Sequence, residues 1–147
     1  MTQSILLAED EETDVMMFRL ALEKTKFTYR VAVVHDGQDA IDYLAGRPPY
    51  GDRGQHPLPG LLVLDLKMPR MTGFDVLSWL RDRPEFSQLP TVVLSSSSYP
   101  QDIQSAAQLG AREYFIKPHS ISQLATLVQS AIQRWLEPAG ATPQPRV

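Results

Sequence analysis

Five short apolar runs, each followed by a longer segment of helical period, restrict the fold of this chain more than any other feature of its sequence. The runs span 4–8, 29–34, 61–64, 91–94 and 113–116. A strand with one solvent-exposed face alternates polar and apolar residues, and several of these runs do not. They therefore predict strands buried on both faces. The helical patterns lie near 12–25, 37–45, 74–82, 101–109 and 120–136. Such an alternation predicts an α/β fold, in which helices cover a parallel sheet.

The length of 147 residues suits one domain with one core. We expect that domain to span residues 1–137. The remaining residues, 138–147, hold three prolines and no apolar period, so we expect a disordered tail there. The segment 46–60 holds four prolines and four glycines, which predicts a surface loop before the third strand.

The composition narrows the classes of function. The net charge of -3 gives no basis for nucleic-acid binding by the whole surface, and DNA recognition would need a further module. Because the chain has no cysteine, it can form neither a disulfide framework nor a thiolate metal site. Neither a basic leader nor a stretch of about 18 apolar residues is visible. We therefore expect a cytoplasmic protein without a membrane segment and without DNA as a partner.

Polar side chains follow four of the five predicted strands. Glu9 and Asp10 follow the first strand, Asp65 the third, Ser95 the fourth and Lys117 the fifth. Because the carboxyl ends of parallel strands form one crevice, we expect these side chains to converge.

Three neighbouring carboxylates repel one another and raise each other's pKa unless a cation compensates them. Mg²⁺ is the natural cation, since it prefers hard oxygen ligands and keeps waters that a phosphate can displace. The Lys117 ammonium would supply a second positive charge. Asp65 could then act as a nucleophile toward phosphorus, while the metal and Lys117 stabilise the transferring oxygens.

Each residue also has a simpler explanation when it is taken alone. Glu9 and Asp10 could favour the start of the first helix through its dipole, Asp65 could be a turn acid, and Lys117 a solvated charge. Packing gives no reason, however, to place all of them at one edge of one sheet.

Four segments together resemble the receiver domain of bacterial two-component response regulators, over about residues 3–136. They are LLAEDEETD, LLVLDLKMPRMTG, LPTVVLSSSS and GAREYFIKP. The resemblance implies a flavodoxin-like, doubly wound sheet of five parallel strands in the order 2-1-3-4-5, with five helices. It also implies a phospho-acceptor signalling protein rather than an enzyme, which takes a phosphoryl group from a sensor histidine kinase in a Mg²⁺-dependent reaction.

The resemblance assigns a role to each matching residue of the acidic site. Asp65 would be the phospho-acceptor, and Asp10 and Asp65 would bind the metal directly. Glu9 would act through a water molecule, and the backbone carbonyl of Lys67 would complete the protein's share of the metal shell. Glu9 replaces the aspartate of many receivers, which gives this carboxylate a longer reach.

The resemblance also assigns the switch residues. Ser95 would be the switch hydroxyl, in place of the commoner threonine, and Lys117 would pair with the acyl phosphate. Tyr114 would be the aromatic side chain that turns inward as Ser95 moves toward the phosphate. In the family the bond that corresponds to Lys117–Pro118 is often cis.

Two further features concern partners. The Pro- and Gly-rich segment 46–60 is similar to that of single-domain regulators paired with bacterial and cyanobacterial phytochromes, but a tolerated surface insertion explains it equally well.

The last helix is broadly apolar, and Leu127 and Leu136 lie outside its main apolar stripe. Packing against the sheet explains most of these apolar residues, but a helix that is apolar over so much of its circumference also suggests a partner, here a second copy in a homodimer through the fourth helix, the fifth strand and the fifth helix.

Other functions remain as alternatives. The chain could be a phosphorelay intermediate, or an adaptor that docks constitutively without an output of its own. A dehalogenase-type phosphatase would need an acid where Lys67 stands, and a flavodoxin-like carrier would need a phosphate loop where EDEETD stands. A serine hydrolase would need a base near the SSSS run, and the three histidines lie in unrelated segments.

Overall fold

The five apolar runs form one parallel sheet. The structure, a computed structural model, describes residues 3–137. The strands are β1 Ser4–Ala8, β2 Arg30–Val34, β3 Leu61–Leu64, β4 Thr91–Ser95 and β5 Glu113–Ile116. Their order is β2-β1-β3-β4-β5, and each neighbouring pair is parallel. The predicted order 2-1-3-4-5 is therefore confirmed.

Five α-helices cover the sheet, as predicted. They are α1 Glu12–Glu23, α2 Gly37–Ala45, α3 Gly73–Arg81, α4 Pro100–Gln108 and α5 Ile121–Ala131. A 3₁₀ turn follows α3 at Pro84–Phe86, and a π-helical turn at Ile132–Leu136 continues α5. Side-chain oxygens accept hydrogen bonds from free N–H groups at the starts of three helices, and they belong to Asp36 before α2, Thr72 before α3 and Ser120 before α5.

Apolar side chains pack against both faces of the sheet. One layer joins the strands to α2, α3 and α4, and its members include Leu6, Leu64, Val93, Ile41, Val76 and Ala106. The other layer joins the strands to α1 and α5, and its members include Ile5, Leu7, Val63, Phe18, Leu124 and Val128. Successive residues of a strand point to opposite layers, which explains why the runs are apolar throughout. With both faces covered, the carboxyl ends of the strands are the expected place for a site.

The segment 46–60 is fixed to the end of α2. The Arg53 guanidinium donates hydrogen bonds to the carbonyls of Tyr43 and Leu44, both at 2.9 Å. Both carbonyls belong to the last helical turn, where the usual partners four residues further along are missing, although the Tyr43 carbonyl also accepts from the Gly46 N–H at 3.2 Å. The Tyr43 hydroxyl donates to the carbonyl of Pro57 at 2.9 Å, and Arg30, the first residue of β2, donates to the segment as well. The segment therefore lies at the amino ends of the strands.

The structure corrects some of these expectations, and one of them concerns residues outside the range 3–137. Leu136 is only 6% exposed and belongs to the core, so it offers no surface to a partner, while Leu127 is half-buried. The Lys117–Pro118 bond is not cis; among residues 3–137 the cis bond is Pro48–Pro49. The predicted disorder of 138–147 concerns residues outside the described range. Within that range no helix is both long and apolar enough to cross a membrane.

Candidate functional site

Three carboxylates meet where β1 and β3 end. Glu9, Asp10 and Asp65 each offer an oxygen, and these oxygens all lie within 4.8 Å of one another. The strands pair in register, with Ala8 opposite Leu64, so the residues that follow them are brought side by side. Glu9 is 3% exposed and Asp65 is 5% exposed. The predicted convergence of these acids is therefore found in the structure.

Lys117 brings a positive charge into this cluster from the end of β5. Its backbone N–H donates to the Ser95 carbonyl at 2.8 Å, which extends the pairing of β4 and β5. Its Nζ lies 2.9 Å from Glu9 Oε1 and 3.4 Å from Asp65 Oδ2. A fourth carboxylate, that of Asp14 in the first turn of α1, lies still closer at 2.7 Å. One ammonium group is thus shared by three carboxylates.

The electrostatics of the cluster reflect this crowding. Burial raises the pKa of Glu9 to about 7, and the nearby Asp65 charge adds to the rise, while hydrogen bonds from Lys117 and the Glu11 N–H oppose it. Burial would lower the pKa of Lys117, but hydrogen bonds to Asp14 and Glu9 and the charge of Asp65 raise it above its ordinary value. Lys117 therefore stays charged at every physiological pH.

The donor set suits Mg²⁺. The three clustered groups are carboxylates, the hard oxygen ligands that this ion prefers. Burial raises the pKa of Glu9 although Lys117 and the Glu11 N–H donate hydrogen bonds to it, so a bound cation would favour its carboxylate form. Lys67, two residues after Asp65, has an exposed side chain, and its expected contribution through the backbone carbonyl stays a prediction.

The loop after β3 is held close against α2 and α3. Gly73 donates its N–H to the Leu66 carbonyl at 2.9 Å, and a Cβ at Gly73 would lie 2.4 Å from the Asp65 carbonyl oxygen. Arg70, with a φ of 66°, forms an ion pair with Asp36 at 2.7 Å. These contacts hold the loop in place, and within it the Leu66 N–H donates a hydrogen bond to Asp65 Oδ1 at 2.8 Å.

Ser95 and Tyr114 are connected through Ser97, a residue that flanks the site in the sequence but for which no contact with either of them was predicted. The fully buried Ser95 hydroxyl accepts a hydrogen bond from the Ser97 N–H at 3.1 Å. Tyr114 donates its hydroxyl to the Ser97 carbonyl at 2.8 Å. The Ser97 hydroxyl donates to Asp102 in α4 at 2.6 Å. A change at Ser95 can therefore reach β5 and α4 through one residue.

Comparison with known proteins identifies the family. The model of the response regulator receiver domain matches residues 5–129. This chain is a response regulator receiver. Phosphorylation and dependence on Mg²⁺ are general properties of that family.

Several known proteins are similar to this receiver over most of its length. The probable methanogenesis regulatory protein FilR2 of Methanothrix harundinacea is 33% identical over 132 residues, which cover 90% of this receiver and 83% of the relative. The phosphorylated cyanobacterial phytochrome response regulator RcpA has a TM-score of 0.84 and 31% identity, covering 98% of this receiver and 100% of RcpA. The Mn²⁺-bound form of Rcp1, a response regulator from Synechocystis, has a TM-score of 0.80 and 28% identity, over 92% and 95% of the two chains.

Two contacts of this receiver escaped sequence reasoning. Asp14 is the last acid of the EDEETD segment, and this acidic stretch beside the predicted site was an available sign that it also faces the site. Ser97 flanks the site in the sequence, but its contacts could not be predicted, because the direction of each serine in the SSSS run depends on how the loop folds.

Proposed function

We propose that this receiver is a single-domain response regulator that accepts a phosphoryl group from a sensor histidine kinase on Asp65. The main support is the cluster in which Glu9 and Asp10 neighbour Asp65 while the Lys117 ammonium contacts its carboxylate. Asp65 is buried, follows a central strand, and is the member of the cluster nearest to the middle of the sheet.

In the proposed transfer, an Asp65 carboxylate oxygen attacks the phosphorus of a phosphohistidine on the kinase. A phosphorus–oxygen bond forms as the phosphorus–nitrogen bond breaks, and the electron pair of that bond stays on the imidazole nitrogen. Lys117, held in its charged form, stabilises negative charge on the transferring oxygens. Burial of Asp65 limits the access of water to the acyl phosphate.

The residues proposed to hold Mg²⁺ are Asp10 and Asp65 directly, Glu9 through a water molecule, and Lys67 through its backbone carbonyl. When bound, the ion supplies positive charge that offsets the carboxylates and the phosphoryl oxygens. The crowding of the acids supports this assignment, and so does the Mn²⁺-bound form of the similar Rcp1.

The proposed output is a change of surface at α4, β5 and α5. Phosphorylation adds about 1.5 to 2 negative charges. Ser95 would turn its hydroxyl toward the new acceptor and release the Ser97 N–H that it binds in the structure. Because Tyr114 is hydrogen-bonded to the carbonyl of the same Ser97, the aromatic ring would move inward as the loop rearranges.

We propose that the kinase is a phytochrome, because the similar RcpA is a phytochrome response regulator. The other proposed partner is a second copy of the chain, with which the receiver would form a homodimer. Tyr99 is 61% exposed at the start of α4, and Ile116 is 47% exposed on β5, so apolar surface is available there. The protein would be a cytoplasmic signalling protein rather than an enzyme, with no DNA partner, and with one receiver domain over 1–137 and a tail over 138–147.

Phosphotransfer profiling tests this function. The receiver is incubated with Mg²⁺ and a panel of histidine kinases that carry labelled phosphate, including phytochrome kinases. We expect one kinase to transfer its label much faster than the others, and D65N or a chelator to abolish the transfer. Undiminished transfer to D65N would refute the acceptor assignment, and slow transfer from every phytochrome kinase would refute the proposed partner.

A further inference from the structure

Asp14 is an acid of the site that has no place in the proposed metal shell or in the transfer step. It lies in the first turn of α1, and its side chain is 34% exposed, whereas those of Glu9 and Asp65 are buried. Its only ion pair among residues 3–137 is the one with Lys117.

The three contacts of Lys117 Nζ differ in length. An ammonium group has three N–H donors, and here three carboxylates surround it. The contacts to Asp14 at 2.7 Å and to Glu9 at 2.9 Å have the lengths of strong charge-assisted hydrogen bonds. The contact to Asp65 at 3.4 Å is longer than such a bond. In the structure, Lys117 is therefore bound more closely to Asp14 than to the proposed acceptor.

We propose that Asp14 competes with the phosphoryl group on Asp65 for the Lys117 ammonium and thereby limits the stability of the phosphorylated receiver. This inference rests on the proposed function, because it takes Asp65 as the acceptor. Asp14 is a positioning residue here: it acts through Lys117 and does not touch the phosphoryl group.

The competition follows from charge. Asp14 and Asp65 contact the same nitrogen atom, so the distance between their two carboxylate oxygens cannot exceed the sum of these two contact distances. A dianionic phosphoryl group on Asp65 would attract Lys117 more strongly than the carboxylate does, yet each movement toward it weakens the bond to Asp14. Removing the charge of Asp14 removes this opposing attraction.

The opposite effect would arise if Asp14 mainly kept Lys117 in place. Two other contacts make that contribution small. Glu9 binds the same ammonium at 2.9 Å, and the backbone N–H of Lys117 is fixed to the Ser95 carbonyl at 2.8 Å. Without Asp14, Lys117 is therefore still held at its backbone and at its ammonium group. The loss of competition then outweighs the loss of positioning, and the phosphorylated receiver becomes more stable.

Beryllofluoride, which imitates a phosphoryl group on a carboxylate, provides the test. Its affinity is measured at saturating Mg²⁺ for the full-length wild type, D14N, D14E and E12Q. Glu12 is the matched control, because it is an exposed acid in the same helical turn and forms no ion pair within residues 3–137. We expect D14N to bind beryllofluoride several-fold more tightly than the wild type, and to lose its phosphate more slowly after treatment with acetyl phosphate. D14E and E12Q should resemble the wild type.

A double-mutant cycle with K117A shows whether the effect passes through the lysine. We expect D14N to have no effect on beryllofluoride affinity in the K117A background. Equal affinities for D14N and E12Q, weaker binding by D14N, or an effect that persists in K117A would each overturn the inference. If the wild type itself fails to bind beryllofluoride, the proposed function fails instead. Thermal melts of all variants show that each one is folded.

Discussion

At the residue scale, the pKa of Glu9 ties metal binding to pH. Burial raises that pKa to about 7, so around pH 6 the carboxyl group is mostly protonated in the metal-free receiver. A nearby divalent cation favours the carboxylate form of Glu9 even through a water molecule, so binding should expel the proton. We predict that Mg²⁺ binds more weakly at about pH 6 than at about pH 8, with proton release on binding, when both are measured by calorimetry in buffers of different ionisation enthalpy.

The E9Q variant is the control for this dependence. It has no carboxyl proton at position 9, so its Mg²⁺ affinity should be lower than that of the wild type but nearly constant across the same pH range. Wild-type affinity that does not change between the two pH values would show that Glu9 is already ionised without the metal.

The central residues of the site could be predicted because of where they stand. Asp65 directly follows the apolar strand β3, and Lys117 directly follows β5. In a parallel sheet both positions lie at the carboxyl edge. Asp14 was missed because its contact depends on the direction in which α1 leaves the site. The contacts of Ser97 were missed because only the folded loop distinguishes it from its serine neighbours.

At the scale of the elements, Gly73 fixes the approach of α3 to the loop after β3. A Cβ there would lie 2.4 Å from the Asp65 carbonyl oxygen and 2.8 Å from Leu66 Cα, and both are backbone atoms that cannot turn away. We predict that Gly73→Ala lowers the free energy of unfolding by about 1–3 kcal/mol, as overpacking does, despite the better helix propensity of alanine. Urea unfolding measures the change.

Gly51→Ala is the matched control, because a Cβ at Gly51 meets one atom at an ordinary 3.6 Å. It should change stability by less than about 0.5 kcal/mol, as surface substitutions do. If the two variants are equally stable, α3 can shift without cost and Gly73 does not position the loop.

Arg53 decides between the two explanations of the segment 46–60. Its guanidinium binds carbonyls of Tyr43, Leu44 and His56, so the segment has a structural role at the end of α2. We predict that Arg53→Ala lowers the free energy of unfolding by about 1–3 kcal/mol, because charge-assisted hydrogen bonds to buried carbonyls are lost. Mg²⁺ affinity should not change. Unchanged stability together with slower phosphotransfer would instead indicate a contact with the kinase.

Elements were predictable to the extent that burial leaves a pattern in the sequence. Two-sided burial produced the apolar run at Leu61–Leu64, and its bounds match the prediction. The π-helical turn at Ile132–Leu136 was not foreseen, since an α-helix and a π-helical turn of five residues show the same apolar spacing. The core position of Leu136 was missed for the same reason.

At the scale of the whole molecule, the exposed apolar side chains at α4 and β5 bear on assembly. We predict that the receiver forms a dimer through α4, β5 and α5, and that Ile116→Lys dissociates it, because a charge would be buried at the interface. Leu58→Lys is the control, since Leu58 is 53% exposed in the segment at the amino ends of the strands. Sedimentation velocity with and without beryllofluoride measures the state. A monomer in both conditions would contradict the predicted dimer.

The arrangement of the whole sheet required more than the sequence pattern. Alternating runs predict a parallel sheet but do not state which strands are neighbours, and the order 2-1-3-4-5 came from the resemblance to receivers. That order places β1 next to β3, which brings Glu9 and Asp10 beside Asp65. The site therefore depends on the topology of the entire molecule.

The claim on which the account depends is that Asp65 carries the phosphoryl group. The most direct measurement treats the receiver with acetyl phosphate and Mg²⁺ and locates the modification by mass spectrometry after reductive trapping of the acyl phosphate. The account predicts one phosphoryl group, on Asp65, that is absent from D65N and absent when Mg²⁺ is chelated. A phosphoryl group on any other residue, or none on the folded wild type, would contradict it.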